Sequence, residues 1–305
     1  MPSSSVRRRC LCALAVSVLA ACQTAPLAPP VAPQPPVVES PPKPPRVGLA
    51  LGGGAARGFA HIGVIQVLEE SGIQVDLVVG TSAGSLVAAL YASGKGGASL
   101  GQLAHGMDEA AFADWAFPGR GLIRGEALAR YVRDNTGGRL IEQMQLPLGI
   151  VATDLGNGQP ILFQRGDAGM AVRASSAVPA VFQPVRIGSR EYVDGGLVSP
   201  VPVRFARQMG AEVVIAVDIS AAPEGNATGD PLRMLLQTFA IMGRSINSFE
   251  LREADVVLRP KLDGVSGADF MARRLSILAG REAALTVLPE LRQRIAAKTK
   301  PAAHQ

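Results

Sequence analysis

The chain has 305 residues, 48% of them hydrophobic and 18% charged, which excludes a disordered or purely linking polypeptide and supplies a core for one large or two modest domains. Aromatics make up only 4% against 34 Gly, which favours an α/β protein with tight turns over an all-β sandwich or a nucleic-acid binder built on aromatic stacking. The formal charge of +5 falls to +2 once Arg7, Arg8 and Arg9 are set aside with the N-terminal segment, and the C-terminal Arg292, Arg294, Lys298 and Lys300 read as a solvated helix face, so no nucleic-acid partner is expected.

Residues 6–22, VRRRCLCALAVSVLAAC, pass from a positive start through an apolar stretch to small residues, the layout of a secretory signal peptide. The ending Leu19-Ala20-Ala21-Cys22 resembles the bacterial lipobox. That resemblance implies a signal peptide over 1–21, acylation of Cys22 and a lipid-anchored place in the bacterial cell envelope. Gln23, where some lipoproteins carry Asp, implies the outer membrane, facing the periplasm. Cys10 and Cys12 leave with the signal, so no intramolecular disulfide can form in the mature chain. Residues 26–45 hold 10 of the 23 Pro and predict an extended spacer of about 60 Å at about 3.1 Å per residue. Residues 22–45 are thus a lipidated Cys with a proline-rich tether, and the globular body is expected over 46–305.

In that body, residues 46–51 predict a strand ending in Gly52-Gly53-Gly54, with a helix over 57–70; residues 75–79 predict a second strand, stopped at Gly80, with a helix over 83–92. This cadence belongs to a mostly parallel sheet with helices on both faces. Further strands are expected at 148–153, 161–164, 185–187, 191–193, 213–218 and 256–259. Helices are expected at 125–135, 168–174, 202–209, 232–253 and 282–297. Residues 93–125, rich in Gly and carrying Trp115 and Phe117, read either as a flap or acyl-chain wall or as a plain surface excursion.

Three motifs carry chemistry. Gly80-Thr81-Ser82-Ala83-Gly84 fits G-x-S-x-G and falls between a strand and a helix, where a nucleophile elbow belongs; small residues two before and two after Ser82 permit the sharp turn. The stretch Gly52-Gly53-Gly54-Ala55-Ala56-Arg57-Gly58 offers backbone N–H groups to an anion, leaving open an oxyanion hole, a phosphate cradle and a dinucleotide turn. No Gly-Lys-Ser/Thr follows, so a Walker loop is excluded. A dinucleotide turn retains G-x-G and an acid at Asp76, but Arg57 occupies the third glycine position. Asp194-Gly195-Gly196 follows a short strand and precedes a turn marked by Pro200 and Pro202.

In this order the three motifs resemble those of the patatin-like phospholipases: a glycine-rich oxyanion loop, the G-x-S-x-G serine and the D-G-G/A aspartate. Residues 57–64, RGFAHIGV, resemble that family's helix start, and residues 174–182, ASSAVPAVF, its A-S-x-A-x-P-x-x-F segment. The resemblance covers about 47–218. It implies a three-layer α/β/α fold with a mostly parallel central sheet and hydrolysis of fatty-acyl esters by a Ser82–Asp194 dyad. It also implies an oxyanion hole from Gly52, Gly53 and Gly54 with Arg57 orienting the loop, and Gly80, Gly84, Gly195 and Gly196 shaping the turns; no acidic cluster in the sequence suggests a calcium site or other cofactor, so none is expected. Ser199 departs from the Asn that many members carry after D-G-G.

The histidines agree with a dyad. His61 and His105 precede Asp194 and His304 lies in a polar tail, so the hydrolase order Ser, Asp, His is absent. His61 reads as a packing or capping group. A dyad predicts a rate that rises through an acidic pKa, with no essential step near pH 6.5. Alternative readings are a non-catalytic lipid-anchored envelope binding protein on the same fold and a dinucleotide-binding oxidoreductase.

Overall fold

A computed structural model describes residues 42–107, 114, 120–221, 229–265 and 269–301. The signal peptide, Cys22, almost all of the tether, Trp115, Phe117 and His304 lie outside these residues. In chain order the strands are β1 (Val47–Leu51), β2 (Leu77–Thr81), β3 (Gly121–Ile123), β4 (Leu148–Asp154), β5 (Pro160–Phe163), β6 (Ala180–Phe182), β7 (Val185–Ile187), β8 (Arg190–Asp194), β9 (Val213–Val217) and β10 (Val256–Leu258). The helices are α1 (Phe59–Glu70), α2 (Ala83–Ala92), α3 (Gly97–Gly106), α4 (Glu126–Thr136), α5 (Ala168–Ser175), α6 (Val203–Gln208), α7 (Pro231–Glu250) and α8 (Arg273–Lys298).

One sheet runs in the order β10-β9-β1-β2-β4-β8-β7, with β5 also on β4. The run from β10 to β4 is parallel, and the additions of β5, β8 and β7 are antiparallel. β1, β2 and β9 are buried along their whole length, as expected of parallel strands covered on both faces. On one face Leu49, Leu51, Ile215 and Val217 pack with the apolar residues of α1, α2 and α8. On the other, Ala50, Val214 and Ala216 pack with Phe205 and Ala206 of α6. The result is the α/β/α layering that the sequence implied.

Two helices exceed or escape the periodicity of the sequence. α8 begins nine residues before the expected 282, because Gly280 does not break it: a Cβ there would strike the Ala60 carbonyl, and one at Gly63 would strike the Ile277 carbonyl. Bare backbone at these two glycines lets α8 lie directly on α1. α3, Gly-rich and unread in the sequence, is held from outside, with Gly97 N donating to Glu69 Oε2 at 2.8 Å and Gln66 Nε2 donating to Gly97 O at 3.1 Å. Two of the C-terminal basic residues are tied to the body, Lys298 to Asp255 and Lys300 to Glu212, whereas Arg294 pairs with Glu290 within α8 itself.

Candidate active site

β2 ends at Thr81 and α2 starts at Ala83, leaving Ser82 at φ 53°, ψ −123°. That backbone is strained for a residue with a Cβ, at a cost of about 1–3 kcal/mol, and it throws the side chain off the end of the sheet. The glycines on either side permit the turn. A Cβ on Gly80 would strike the Gly84 carbonyl, and one on Gly84 would strike the Leu51 carbonyl. The strain is held by side chains: Ser82 N donates to Ser175 Oγ at 2.8 Å, and Ser175 Oγ donates to Val151 O at 2.6 Å. Ser82 also sits at the N-terminus of a ten-residue helix, whose partial positive charge favours a developing anion.

Sheet register brings Asp194 to this point. β5 occupies one edge of β4, so β2 and β8 share the other; Thr81 pairs with Val151, and Asp194 pairs with the next residue, Ala152. Where β2 turns away into the elbow, β8 takes its place and delivers the aspartate. The Asp194 backbone is fixed from both sides, its N donating to Ala177 O at 3.0 Å and its carbonyl accepting from Thr153 Oγ1 at 2.8 Å. Oδ1 accepts from Gly196 N at 2.6 Å. A Cβ on Gly195 would strike the Val151 carbonyl, so the D-G-G turn needs its first glycine for space. Oδ2 is buried with no standard hydrogen bond, and the Ser82 hydroxyl is the side chain that acts on this carboxyl. Burial pushes the Asp194 pKa up to about 6, while the Ser82 hydroxyl and the Gly196 amide pull it down.

The glycine loop closes the site opposite the elbow, and a Cβ on Gly53 would lie 3.1 Å from Ser82 Cβ. Its amides differ from expectation. Gly52 N donates to Val217 O at 3.0 Å and Gly53 N to Pro200 O at 2.9 Å, so neither is free to face an oxyanion in this conformation. These two bonds anchor the loop to β9 and to the segment after Asp194. Among the described residues the amides of Gly54 and Ala55 have no acceptor, and Ala55 is itself at φ 50°. The Gly54 carbonyl is held as well: Arg57 donates to Gly54 O from its backbone N at 3.2 Å and from Nε at 3.3 Å.

His61 is fully buried and its Nε2–H donates to Gly52 O at 2.8 Å. Burial lowers its pKa to about 4, so it is neutral at physiological pH and holds the loop rather than moving a proton. His105 is exposed on α3. Asp76 lies at the opposite end of β1 from the glycines, its Oδ2 accepting from Val47 N at 2.7 Å, which places it far from any ribose bound at a dinucleotide turn.

Sequence reasoning missed the frame around Ser82 and Asp194. Ser175 was visible only as part of the A-S-x-A-x-P segment, and Thr81 Oγ1, donating to Ser199 O at 2.8 Å, only as the x of G-x-S. Ser199 is wholly buried and donates to Glu250 Oε1 at 2.6 Å, so the position that departs from Asn ties the Asp194 turn to α7.

Residues 49–207, just over half of the chain, match the Patatin-like phospholipase family. The chain belongs to the patatin-like phospholipase family. It is 38% identical over 189 residues to an uncharacterized NTE family protein of Mycobacterium bovis, covering 60% of this chain and 51% of that one. Patatin-like phospholipase domain-containing protein 6 of Mus musculus is 34% identical over 196 residues, 61% of this chain and 14% of that protein. The chain therefore spans about half the length of the mycobacterial relatives and a small part of the mouse one. Among solved structures, VipD from Legionella pneumophila superposes with a TM-score of 0.55 at 15% identity, covering 84% of this chain and 68% of that one, a likeness of fold.

Proposed function

We propose that the protein hydrolyses fatty-acyl esters, of a phospholipid, lysophospholipid or neutral lipid, through an acyl-enzyme on Ser82 with Asp194 as the base. The observation that carries this reading is the pairing of a strained serine at a helix N-terminus with a buried carboxyl whose Oδ2 has no standard hydrogen bond and whose pKa the serine hydroxyl perturbs. Asp194 takes the Ser82 Oγ proton as Oγ bonds to the ester carbonyl carbon. The resulting oxyanion is received by the Gly54 amide, with the neighbouring Ala55 amide in place of the engaged Gly53 amide. Collapse breaks the carbon–oxygen bond to the alcohol, which leaves with the proton held by Asp194. Water then attacks the acyl-serine and gives its proton to Asp194, the fatty acid departs, and the proton returns to Ser82 Oγ.

A dinucleotide-binding oxidoreductase is disfavoured by the engagement of Asp76 at the wrong end of β1. A fluorophosphonate probe tests the reading directly: wild type is expected to label at Ser82 and Ser82→Ala to remain unlabelled. Labelling that survives Ser82→Ala would contradict it. The lipobox at Cys22 supports a further part of the proposal, that the mature protein is anchored in the bacterial envelope by acyl chains. Export of Cys22→Ser under a soluble signal peptide is expected to release it from sedimenting membranes, and retention through a high-salt wash would count against that anchor.

A further inference from the structure

α7 is described over its full length of 20 residues and buries two of them, Asn247 and Glu250, both polar, while Met234, Ile241, Met242 and Phe249 stay exposed. Gly243, Asn247 and Glu250 share one helical face, and that face meets residues 199–201, which follow the Asp194 turn. A Cβ on Gly243 would lie 3.4 Å from Pro200 Cγ. Asn247 Oδ1 accepts from Val201 N at 3.2 Å, and its Nδ2 donates to Ser220 Oγ at 3.0 Å. Glu250 Oε1 accepts from Ser199 Oγ at 2.6 Å and lies 3.2 Å from Arg204 Nε. Burying a carboxyl and an amide costs more than fastening a helix with apolar side chains of similar volume. What these bonds add is direction.

Residues 199–201 are where the three motifs of the site meet. Ser199 O accepts from Thr81 Oγ1 at 2.8 Å, one residue before Ser82, and Ser199 N donates to Gly195 O at 2.9 Å, one residue after Asp194. Pro200 O accepts from Gly53 N at 2.9 Å, which holds the glycine loop. The Val201 side chain lies under that loop as well, since a Cβ on Gly52 would come within 2.8 Å of Val201 Cγ2. We propose that Glu250 is a positioning residue: together with Asn247 it clamps residues 199–201 and so sets the serine elbow, the aspartate turn and the glycine loop in register. This rests on the ester-hydrolase reading above. Glu250 touches none of the reacting atoms in that scheme and acts through Ser199. A misplacement of about 1 Å at a reacting centre can lower a rate about a hundredfold, so release of the clamp should appear in kcat and leave KM nearly unchanged.

Amide hydrogen exchange reads the clamp without turnover. In the Ser82→Ala background, Glu250→Leu is expected to speed exchange at the Ser199 and Gly53 amides by about tenfold or more and to leave the amides of β1 and β9 unchanged. In the active enzyme Glu250→Leu is expected to lower kcat for p-nitrophenyl butyrate by about tenfold or more with KM within about twofold, and Glu250→Gln, which keeps an oxygen for Ser199 Oγ, is expected to recover most of that loss. If Glu250→Leu fails to fold by circular dichroism, Ser199→Ala removes the other end of the same bond and is expected to give the same changes in exchange and kcat. Exchange that quickens only within α7, an unchanged kcat in a folded variant, or a Glu250→Gln enzyme as slow as Glu250→Leu would overturn the assignment. Faster exchange at Ser199 and Gly53 in a protein whose wild type hydrolyses no ester and takes no fluorophosphonate would leave the clamp standing and remove the hydrolase.

Discussion

The two strand-to-helix turns at the head of the sheet look alike in sequence and are built for opposite purposes. The elbow at Gly80–Gly84 spends its glycines on space, so that one side chain, Ser82, is lifted into the site by a strained backbone. The loop at Gly52–Arg57 presents no reactive side chain and instead has its carbonyls and first two amides tied down, by His61, Arg57, Val217 and Pro200. What remains for chemistry is backbone N–H. Substitutions at the elbow should therefore remove a reacting atom, whereas substitutions around the loop should loosen geometry and cost less.

The largest effects belong to the reacting pair. Ser82→Ala and Asp194→Asn are each expected to lower kcat/KM for a p-nitrophenyl ester by roughly a thousandfold or more, and the double variant is expected to be no slower than the worse single, since both act on one proton transfer. Losses that multiply would separate the two residues into independent roles. At the loop, Arg57→Lys keeps the charge but not the geometry of Nε on Gly54 O, and a fall in kcat of about tenfold with little change in KM is expected. An unchanged kcat would mean that the backbone bond from Arg57 N is enough to hold the loop.

A smaller effect appears in stability and has the opposite sign to activity. The folded pKa of Asp194 is raised to about 6 from 3.8, so the folded protein holds this proton more tightly than the unfolded chain. The contribution of this group to stability is fully present below about pH 4 and is lost as pH rises through about 6, above which burying the ionised carboxylate costs about 3 kcal/mol. Asp194→Asn should therefore raise Tm at pH 8 and leave it nearly unchanged at pH 4. A lower Tm at pH 8 would show that the ionised carboxylate stabilises the folded protein.

Much of this was legible from residues alone. The glycine turns, the serine and aspartate and the apolar runs of β1, β2, β4 and β9 are local signals whose meaning does not depend on distant partners. What escaped was set by tertiary contact. α3 forms from a Gly-rich stretch because Gln66 and Glu69 hold it, and α8 runs through Gly280 because α1 requires bare backbone there. The occupied amides of Gly52 and Gly53 depend on β9 and Pro200, which no local motif reveals. The pH expectation changes for the same reason: burial moves Asp194 close to the range of a free histidine, so a step near pH 6 by itself no longer distinguishes a dyad from a triad.

The assignment of Asp194 as base is tested most directly by the pH dependence of fluorophosphonate labelling at Ser82, measured on wild type, Asp194→Asn and His105→Gln. In wild type the labelling rate is expected to rise once with a midpoint near pH 6, unchanged in His105→Gln and abolished in Asp194→Asn. His61, neutral above about pH 4 and bound to Gly52 O, should add no step of its own. A rise that persists in Asp194→Asn, or one that vanishes in His105→Gln, would contradict the Ser82–Asp194 mechanism.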